Sequence, residues 1–296
     1  MPTTLTTELE IFTVTGQHFR PDQEASPKNR VLFCLPGGGA SAAYFNLTKT
    51  HSFARHMAGL GYDVITVDHI GTATNPLPEN ATFLTPKLAA DRLYFALSDW
   101  LKTNDLRGKA VTGIGHSMGG VIISILQARH IVFDTLGLFG SSPGGLEWGL
   151  TDEEKDYIDD QDAFERDLKT LTLGKFKSEF PEGSGGPSGK SITFGGETPQ
   201  LTQALRDVSC ALYAAGGMTS MTRGSFKREV DLLDIPIYFV FGDHDIGIPP
   251  NEVAQEYPNI PSSELRVLNN TGHNHFAFSS LTTLCQGLDI WLSNVA

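Results

Sequence analysis

The sequence predicts an α/β protein built on a doubly wound, mostly parallel sheet that carries an inserted, mainly helical cap. A continuous apolar run over residues 30–35 has the length and composition of a strand buried in a parallel sheet, and further strands are predicted over residues 62–67 and 110–114. Helical patterns over residues 52–61 and 85–101 separate these strands. Because single helices alternate with single strands, the connections are expected to be parallel crossovers.

Further elements extend this pattern towards both ends of the chain. Residues 8–14 alternate enough between apolar and polar side chains to predict an edge strand. Strands are predicted over residues 132–139, 235–241 and 265–268, and a closing helix over residues 276–295.

The strand pattern is interrupted between residues 144 and 232. We expect residues 144–232 to form a cap or lid, inserted into a core made of residues 1–143 and 233–296. An insertion of this size above the carboxyl ends of parallel strands would cover the place where such sheets gather their sites.

Two long helices are predicted inside the cap. Thr151 and Glu154 form a capping-box pattern, which predicts the start of a helix that continues through Leu168. The excess of acidic residues along this helix is interpreted as a solvated face. A second helix is predicted over residues 199–217, and a loop is predicted over residues 216–221.

Charge and composition limit the classes of partner. The 296 residues include 34 acidic and 22 basic side chains, which gives a net charge of −12. A negative protein is repelled by phosphate backbones and anionic lipids, so neither nucleic acid nor membrane is expected as a partner. The chain begins without a signal-peptide pattern, which predicts a cytoplasmic protein. Its three cysteines, at positions 34, 210 and 285, are predicted to be free thiols.

One segment comes close to a nucleotide-binding motif. Residues 183–191 nearly match a P-loop, but Ser184 stands where the first glycine is required and no buried strand precedes the segment. We interpret it as a flexible loop, and no cofactor is predicted for this protein.

A G-x-S-x-G motif lies between the third predicted strand and the apolar helix that follows it. Gly115 and Gly119 stand two residues before and after Ser117, where a sharp strand-to-helix turn tolerates only very small residues. The turn would lift the Ser117 hydroxyl above the sheet and place the Met118 N–H at a helix start, facing a developing oxyanion. Short matches arise by chance in a glycine-rich chain, but the flanking strand and helix favour a nucleophile.

A triple-glycine loop, Gly37 to Gly39, follows the strand predicted over residues 30–35. Such a loop is sometimes only a flexible turn. Directly after a buried strand, however, it also lets backbone N–H groups approach a ligand. It is therefore a candidate for the second oxyanion donor.

A serine nucleophile needs a base, and the base needs a group that orients it. Asp245 and His273 follow the last two predicted strands and are the favoured acid and base, with Asp243 and His275 as rivals. A metal site formed by these side chains and His244 is a weak alternative, because none of the usual ligand spacings is present. No metal is predicted.

Taken together, these motifs resemble those of the α/β-hydrolase superfamily. The shared features, in chain order, are the loop at residues 36–39, the D-x-x-G segment at 68–71, the motif at 115–119, the acid turn at 242–245 with Pro249, and the terminal pair at 272–273. They span nearly the whole chain outside the cap.

The resemblance assigns roles to individual residues. It implies that Ser117 is the nucleophile, His273 the general base and Asp245 the acid that orients it. The N–H groups of Gly38 and Met118 are the implied oxyanion donors. Pro36 stands where many family members have histidine, so Gly37 and Gly39 stay open as alternatives to Gly38.

The predicted reaction is hydrolysis of a carboxylic ester or lactone of a fairly hydrophobic small molecule, through an acyl-enzyme on Ser117. Hydrolysis of a carbon–carbon bond by the same residues is an alternative reaction. A ligand receptor on a hydrolase scaffold is an alternative from another class. Pocket residues are sought among Trp148, Tyr213, Met218, Met221 and Phe276, although such side chains also form the cap's own core.

Overall fold

The computed structural model describes residues 1–182 and 195–295, and an eight-stranded sheet lies at its centre. The strand order is β1-β2-β4-β3-β5-β6-β7-β8. The strands are β1 (Thr3–Leu9), β2 (Phe12–Phe19), β3 (Arg30–Leu35), β4 (Asp63–Val67), β5 (Ala110–His116), β6 (Thr135–Phe139), β7 (Ile237–His244) and β8 (Ser263–Gly272).

Helices cover both faces of the sheet. They are α1 (Phe53–Gly59), α2 (Pro86–Thr103), α3 (Met118–His130), α4 (Asp152–Lys155), α5 (Gln161–Phe176), α6 (Pro199–Asp207), α7 (Ala214–Met221), α8 (Lys227–Val230) and α9 (Leu281–Asn294). α2 and α3 pack into one core layer and α1 and α9 into the other, so the predicted doubly wound α/β architecture is confirmed. Among the helices of the described part of the chain, none is long and apolar enough to cross a membrane.

The centre of the sheet is parallel because its strands are apolar on both faces. β3 pairs in parallel with β4 and with β5, and β6, β7 and β8 continue in the same direction. All six residues of β3 are buried, as the apolar run predicts. The carboxyl ends of these strands therefore lie along one edge of the sheet.

The amino-terminal prediction was wrong in its boundaries. Residues 8–14 were expected to form one edge strand, but the chain turns back at Glu10 and Ile11 between β1 and β2. These two strands pair antiparallel with each other, and β2 pairs antiparallel with β4. The predicted strand covered the hairpin turn because its apolar residues belong to two different strands.

The helices between β6 and β7 are shorter than predicted. The capping box at Thr151 and Glu154 is confirmed, but the helix predicted to run through Leu168 is divided into α4 and α5. Asp159 adopts a positive φ of 62° between them, and Asp160 caps α5 by accepting a hydrogen bond from the Ala163 N–H. A residue in this left-handed conformation cannot continue a helix.

The helix predicted over residues 199–217 is also interrupted. α6 ends at Asp207, and the following residues run beside the triple-glycine loop, where the Ser41 N–H donates to the Val208 carbonyl and the Cys210 N–H to the Gly39 carbonyl. The predicted loop over residues 216–221 is instead part of α7.

The carboxyl-terminal helix is shorter than predicted. The closing helix α9 begins at Leu281, later than predicted, because residues 275–277 form a separate 3-10 turn. The P-loop-like segment, residues 183–191, lies outside the residues that the structure describes, so its interpretation stays a prediction. The separate-cap interpretation of residues 144–232 also stays a prediction.

Candidate active site

Ser117 lies at the junction of β5 and α3. Its φ of 51° and ψ of −124° are strained for a residue with a side chain. The Ser117 N–H donates to the Phe139 carbonyl at 2.8 Å, and the Gly120 N–H donates to the Ser117 carbonyl at 2.9 Å. These bonds hold the strained turn in place and leave the side chain on the wall of a cavity.

The small residues around Ser117 are sterically required. A Cβ at position 115 would overlap the backbone of Gly120, and one at position 119 would overlap the carbonyl of Leu35. Close packing of β3 and β5 against the start of α3 therefore explains the two glycines, as the motif predicts.

The triple-glycine loop forms the wall of the cavity next to Ser117. Within the described part of the chain, neither the Gly38 N–H nor the Met118 N–H donates a hydrogen bond to another protein group. Both residues line the cavity, as does Gly39. The Gly39 φ of 74° lets the loop turn, and its carbonyl accepts the Cys210 N–H. Gly38 and Met118 therefore remain the candidates for the two oxyanion donors, and both line the cavity beside Ser117.

Asp68 and His69 fix this loop from behind. Asp68 Oδ1 accepts the Ala42 N–H at 2.5 Å, and Asp68 Oδ2 accepts from the backbone and the hydroxyl of Thr74. His69 Nε2 lies 2.7 Å from the Pro36 carbonyl oxygen. Burial lowers the pKa of His69 to about 4, so the ring is neutral at pH 7 and donates to that carbonyl.

The structure brings His273 and Asp245 together. His273 Nδ1 lies 2.6 Å from Asp245 Oδ1, and both side chains are largely buried. The rival acid, Asp243, instead accepts the N–H groups of Asn270 and Thr271 at 2.8 and 2.9 Å. Asp243 therefore holds the backbone of β8, whereas Asp245 contacts the histidine.

The Asp245 carboxylate accepts four hydrogen bonds. Oδ1 accepts from His273 and from the Ile246 N–H at 2.8 Å, and Oδ2 accepts from His275 Nε2 at 2.7 Å and from the Gly242 N–H at 3.1 Å. Burial alone raises the pKa of Asp245, but the two imidazoles outweigh it and hold this pKa well below its usual range. The acid is therefore ionised at any working pH.

Two residues beside the histidines were not singled out from the sequence. His116 Nε2 lies 2.7 Å from the carbonyl oxygen of His273, and Tyr44 packs its ring on His116 at 4.8 Å between centroids. Burial, together with the neighbouring His273 and His275, holds the pKa of His116 well below 6.5. His116 occupies a variable position of the G-x-S-x-G motif, so spacing alone carried no signal for it.

Ser117 and His273 line two cavities at once. The larger has a volume of about 240 Å³, and the smaller has about 20 Å³. Leu146, Ser220 and Ile246 are also shared by the two walls. The large cavity is mainly apolar, and its apolar side chains from the insertion are Leu146, Phe176, Leu205, Val208, Leu212 and Met221.

Of the five side chains considered for the pocket, only Met221 lines it. Trp148 is 68% exposed, and Tyr213 and Met218 are buried in the core. Phe276 is buried beneath the site against Tyr44 and other aromatic rings. Tyr213 and Met218 belong to the core cluster that also contains residues of the sheet and of α2 and α3, and not to a separate core of the predicted cap.

The described residues contain no group of three or more His, Cys, Asp and Glu side chains arranged to hold a metal ion. The weak metal interpretation of the acid and histidine turns therefore has no geometric support in these segments, where Asp245 binds His273 and His275 directly.

Comparison with known proteins decides the family. The model of the alpha/beta hydrolase family matches residues 31–280. The chain belongs to the alpha/beta hydrolase family. The resemblance of its motifs is thereby confirmed, and no curated protein matches the chain in sequence.

Several solved structures share this fold. A soluble variant of monoglyceride lipase from Saccharomyces cerevisiae is 13% identical, covers 100% of this chain and 96% of its own, and has a TM-score of 0.73. A thermophilic esterase from Thermogutta terrifontis is 16% identical, with coverage of 100% and 99% and a TM-score of 0.58. A bromoperoxidase from Bacillus anthracis is 16% identical, with coverage of 99% and 100% and a TM-score of 0.61.

At these identities the likeness shows the fold alone, and the names of these proteins cover more than one reaction. Membership of the alpha/beta hydrolase family supports a hydrolase as the class of enzyme. The reaction and the substrate must be argued from the residues of this alpha/beta hydrolase.

Proposed function

We propose that this alpha/beta hydrolase is a serine hydrolase that cleaves a carboxylic ester or lactone of a hydrophobic small molecule. The observation that carries the proposal is that Ser117, His273, Gly38 and Met118 line one mainly apolar cavity and that Asp245 binds His273 from behind it. A nucleophile, its base, the group orienting the base and an oxyanion site are the parts that acyl transfer requires.

The reaction starts at Ser117. Its Oγ attacks the carbonyl carbon of the substrate while His273 Nε2 accepts the hydroxyl proton. The negative oxygen of the tetrahedral intermediate is stabilised by the N–H groups of Gly38 and Met118. Collapse breaks the bond to the alcohol oxygen, which takes the proton from His273, and an ester on Ser117 remains. This scheme needs no cofactor.

Water completes the cycle. His273 takes a proton from a water molecule, the resulting hydroxide attacks the acyl carbon, and Ser117 leaves with the proton as the free hydroxyl. The smaller cavity touches both Ser117 and His273, and its volume of about 20 Å³ is close to the space that one water occupies. This size supports a place for the hydrolytic water beside the acyl group.

The main cavity supports a small apolar substrate. Six apolar side chains of the insertion face a volume of about 240 Å³, and burying such a surface is favourable by about 25 cal/mol per Å². No Lys or Arg side chain lines the cavity wall within the described residues, so an anionic substrate group would lack a counter-ion. We accordingly propose a neutral small molecule as the partner. The net charge of −12 supports neither nucleic acid nor an anionic membrane as a partner, and a cytoplasmic location remains part of the proposal.

A fluorophosphonate probe tests the nucleophile without knowledge of the substrate. We expect stoichiometric labelling of the wild type at Ser117 and no labelling of Ser117→Ala or His273→Ala. The matched controls are Ser263→Ala, at an exposed serine at the start of β8 and far from the site, and His244→Ala, at an exposed histidine of the acid turn. Both should label like the wild type. An unlabelled wild type would reject the proposed nucleophile and favour a ligand receptor.

A panel of substrates then tests the reaction class. Aryl esters with acyl chains of increasing length, lactones and vinylogous diketones are offered to the wild type and to Ser117→Ala. Ester or lactone turnover that requires Ser117 is the expected result. Cleavage of diketones with no turnover of esters would replace the proposal by carbon–carbon bond hydrolysis.

A further inference from the structure

Asp245 contacts a second histidine as closely as it contacts the proposed base. His275 Nε2 lies 2.7 Å from Asp245 Oδ2, and the His275 side chain is completely buried. We propose that His275 is a positioning residue, which donates from Nε2 to Asp245 and thereby sets both the orientation of the carboxylate and the charge that it presents to His273. This inference rests on the proposed function, because it assigns His273 the role of base.

The two histidines reach one carboxylate because the chain bends directly after β8. The His275 N–H donates to the His273 carbonyl at 3.1 Å, which closes a tight turn between them. Phe276 anchors this turn in the core, with its ring 5.1 Å from that of Phe45 and 5.0 Å from that of Phe53. His275 is therefore fixed by its neighbours and not free to turn away from Asp245.

The hydrogen-bond partners of His275 indicate its tautomer. Its Nδ1 is buried and has no hydrogen-bond partner among the described residues. A carboxylate only accepts, so Nε2 must carry a hydrogen. In the neutral ring, Nδ1 is unprotonated and one lone pair lacks a partner. In the charged ring, Nδ1 would carry a buried N–H without an acceptor, which costs more free energy. His275 is thus a neutral donor on Nε2.

The two oxygens of the Asp245 carboxylate accept matching sets of hydrogen bonds. Each carboxylate oxygen accepts one imidazole N–H and one backbone N–H. Without the donor of His275, Oδ2 would keep only the Gly242 N–H at 3.1 Å. The carboxylate would then hold more negative charge for the His273 imidazolium and would favour its protonated form.

Two further titratable groups face the pair. His116 at the end of β5 lies 4.8 Å from His273 and 5.4 Å from His275 between ring centroids, and Tyr44 packs behind His116. Burial lowers the pKa of His116 well below 6.5 and raises the pKa of Tyr44 well above 10. Burial therefore favours the neutral form of both side chains, so neither brings a charge to the pair at neutral pH.

The test measures the second-order rate of fluorophosphonate labelling from about pH 5 to 9. In His275→Leu, which removes the donor, we expect the midpoint of the acid limb to move up by about 0.5–1 pH unit, because Asp245 then holds more negative charge. The plateau rate should fall about 10-fold, because Asp245 is less well oriented. His275→Gln keeps an N–H near the Nε2 position and should restore the wild-type midpoint. His244→Leu, at an exposed histidine of the acid turn, is the matched control and should change nothing.

A midpoint that does not move in folded His275→Leu would overturn the proposal, even if the plateau falls, because lost packing alone leaves the charge of Asp245 unchanged. A second measurement covers a variant that does not fold. In the ¹H–¹⁵N NMR spectrum of the wild type, His275 should carry its hydrogen on Nε2, in a low-field signal that His275→Gln removes. The opposite tautomer would overturn the proposal. Absence of any labelling in the wild type would instead reject the proposed function.

Discussion

Replacing Asp245 by Asn separates the proposed acid from its rival. The carboxylate accepts a backbone N–H on each oxygen, from Ile246 and from Gly242. An amide has only one oxygen, so in either orientation its NH₂ group would face a backbone N–H, which cannot accept a hydrogen bond. We expect Asp245→Asn to cost about 1–3 kcal/mol of unfolding free energy, since one buried N–H loses its acceptor.

The effect of Asp245→Asn on reactivity should be much larger. With the amide in place, the His273 ring loses the negative charge that stabilises its imidazolium and the acceptor that fixes its Nδ1–H tautomer. In a serine protease the corresponding loss lowers the rate about 10⁴-fold, and we expect a decrease of the same order in fluorophosphonate labelling, measured on protein shown to be folded by its thermal transition.

Asp243→Asn is the matched control, because Asp243 also accepts two backbone N–H groups in the same turn but contacts neither His273 nor His275. It should lower the stability and leave the labelling rate of the folded protein near that of the wild type. The reasoning would be refuted if folded Asp245→Asn labelled within about 10-fold of the wild type, or if Asp243→Asn lost its reactivity instead.

Three further predictions concern the turn, the cavity and acid stability. Gly115→Ala should abolish labelling of Ser117 or unfold the protein, because the added Cβ meets the backbone of Gly120; labelling at the wild-type rate in a folded variant would contradict the proposed turn geometry. Leu212→Ala should enlarge the cavity that Leu212 lines and raise the ratio of kcat/KM for long over short acyl esters by about 10-fold, whereas an unchanged ratio would remove Leu212 from the acyl-binding wall. Burial lowers the pKa of His69 to about 4. Between about pH 6.5 and 4, the unfolded chain therefore binds a proton that the folded chain does not. The unfolding free energy should fall by up to about 3 kcal/mol as the pH drops through this window. In His69→Gln, which keeps a donor for the Pro36 carbonyl, the thermal midpoint should decline less steeply over this window than in the wild type. An equally steep decline would assign the acid sensitivity to other groups.

The central strands of the sheet were predictable because burial on both faces leaves a pattern within the sequence of each strand. β3 coincides with the predicted run, since a strand buried on both faces must be apolar throughout. The outer hairpin of β1 and β2 was not found, because half-exposed strands rich in threonine differ little in pattern from loops.

Glycines misled the prediction in the insertion. Gly216 and Gly217 favour a loop by intrinsic propensity, yet both are buried in α7. A Cβ at position 216 would press on the ring of Tyr213 and on Met118 Sδ. Small residues therefore allow this helix to approach the start of α3, and such a tertiary requirement is not visible in a local window of sequence.

The site was predictable in its residue types and less so in its pairings. Strand ends give Asp245 and His273 their common edge, but spacing could not separate His273 from His275, because the turn after β8 directs both rings to the same carboxylate. The glycines of the loop at residues 37–39 suggest an oxyanion site, which stays a prediction, whereas the support of this loop by Asp68 and His69 depends on contacts between distant segments.

The pairing of β6 with β7 joins Phe139 to Val240 across the whole insertion. Bringing together strands so far apart in the chain is slow, because the entropy of closing a long loop is lost before any contact forms. The groups proposed to activate Ser117 come from the turns after β7 and β8, so they reach the serine only after this closure. We therefore expect Ser117 to be unreactive in a chain that has not yet closed the sheet, and fluorophosphonate labelling during refolding to begin only once β6 and β7 have paired.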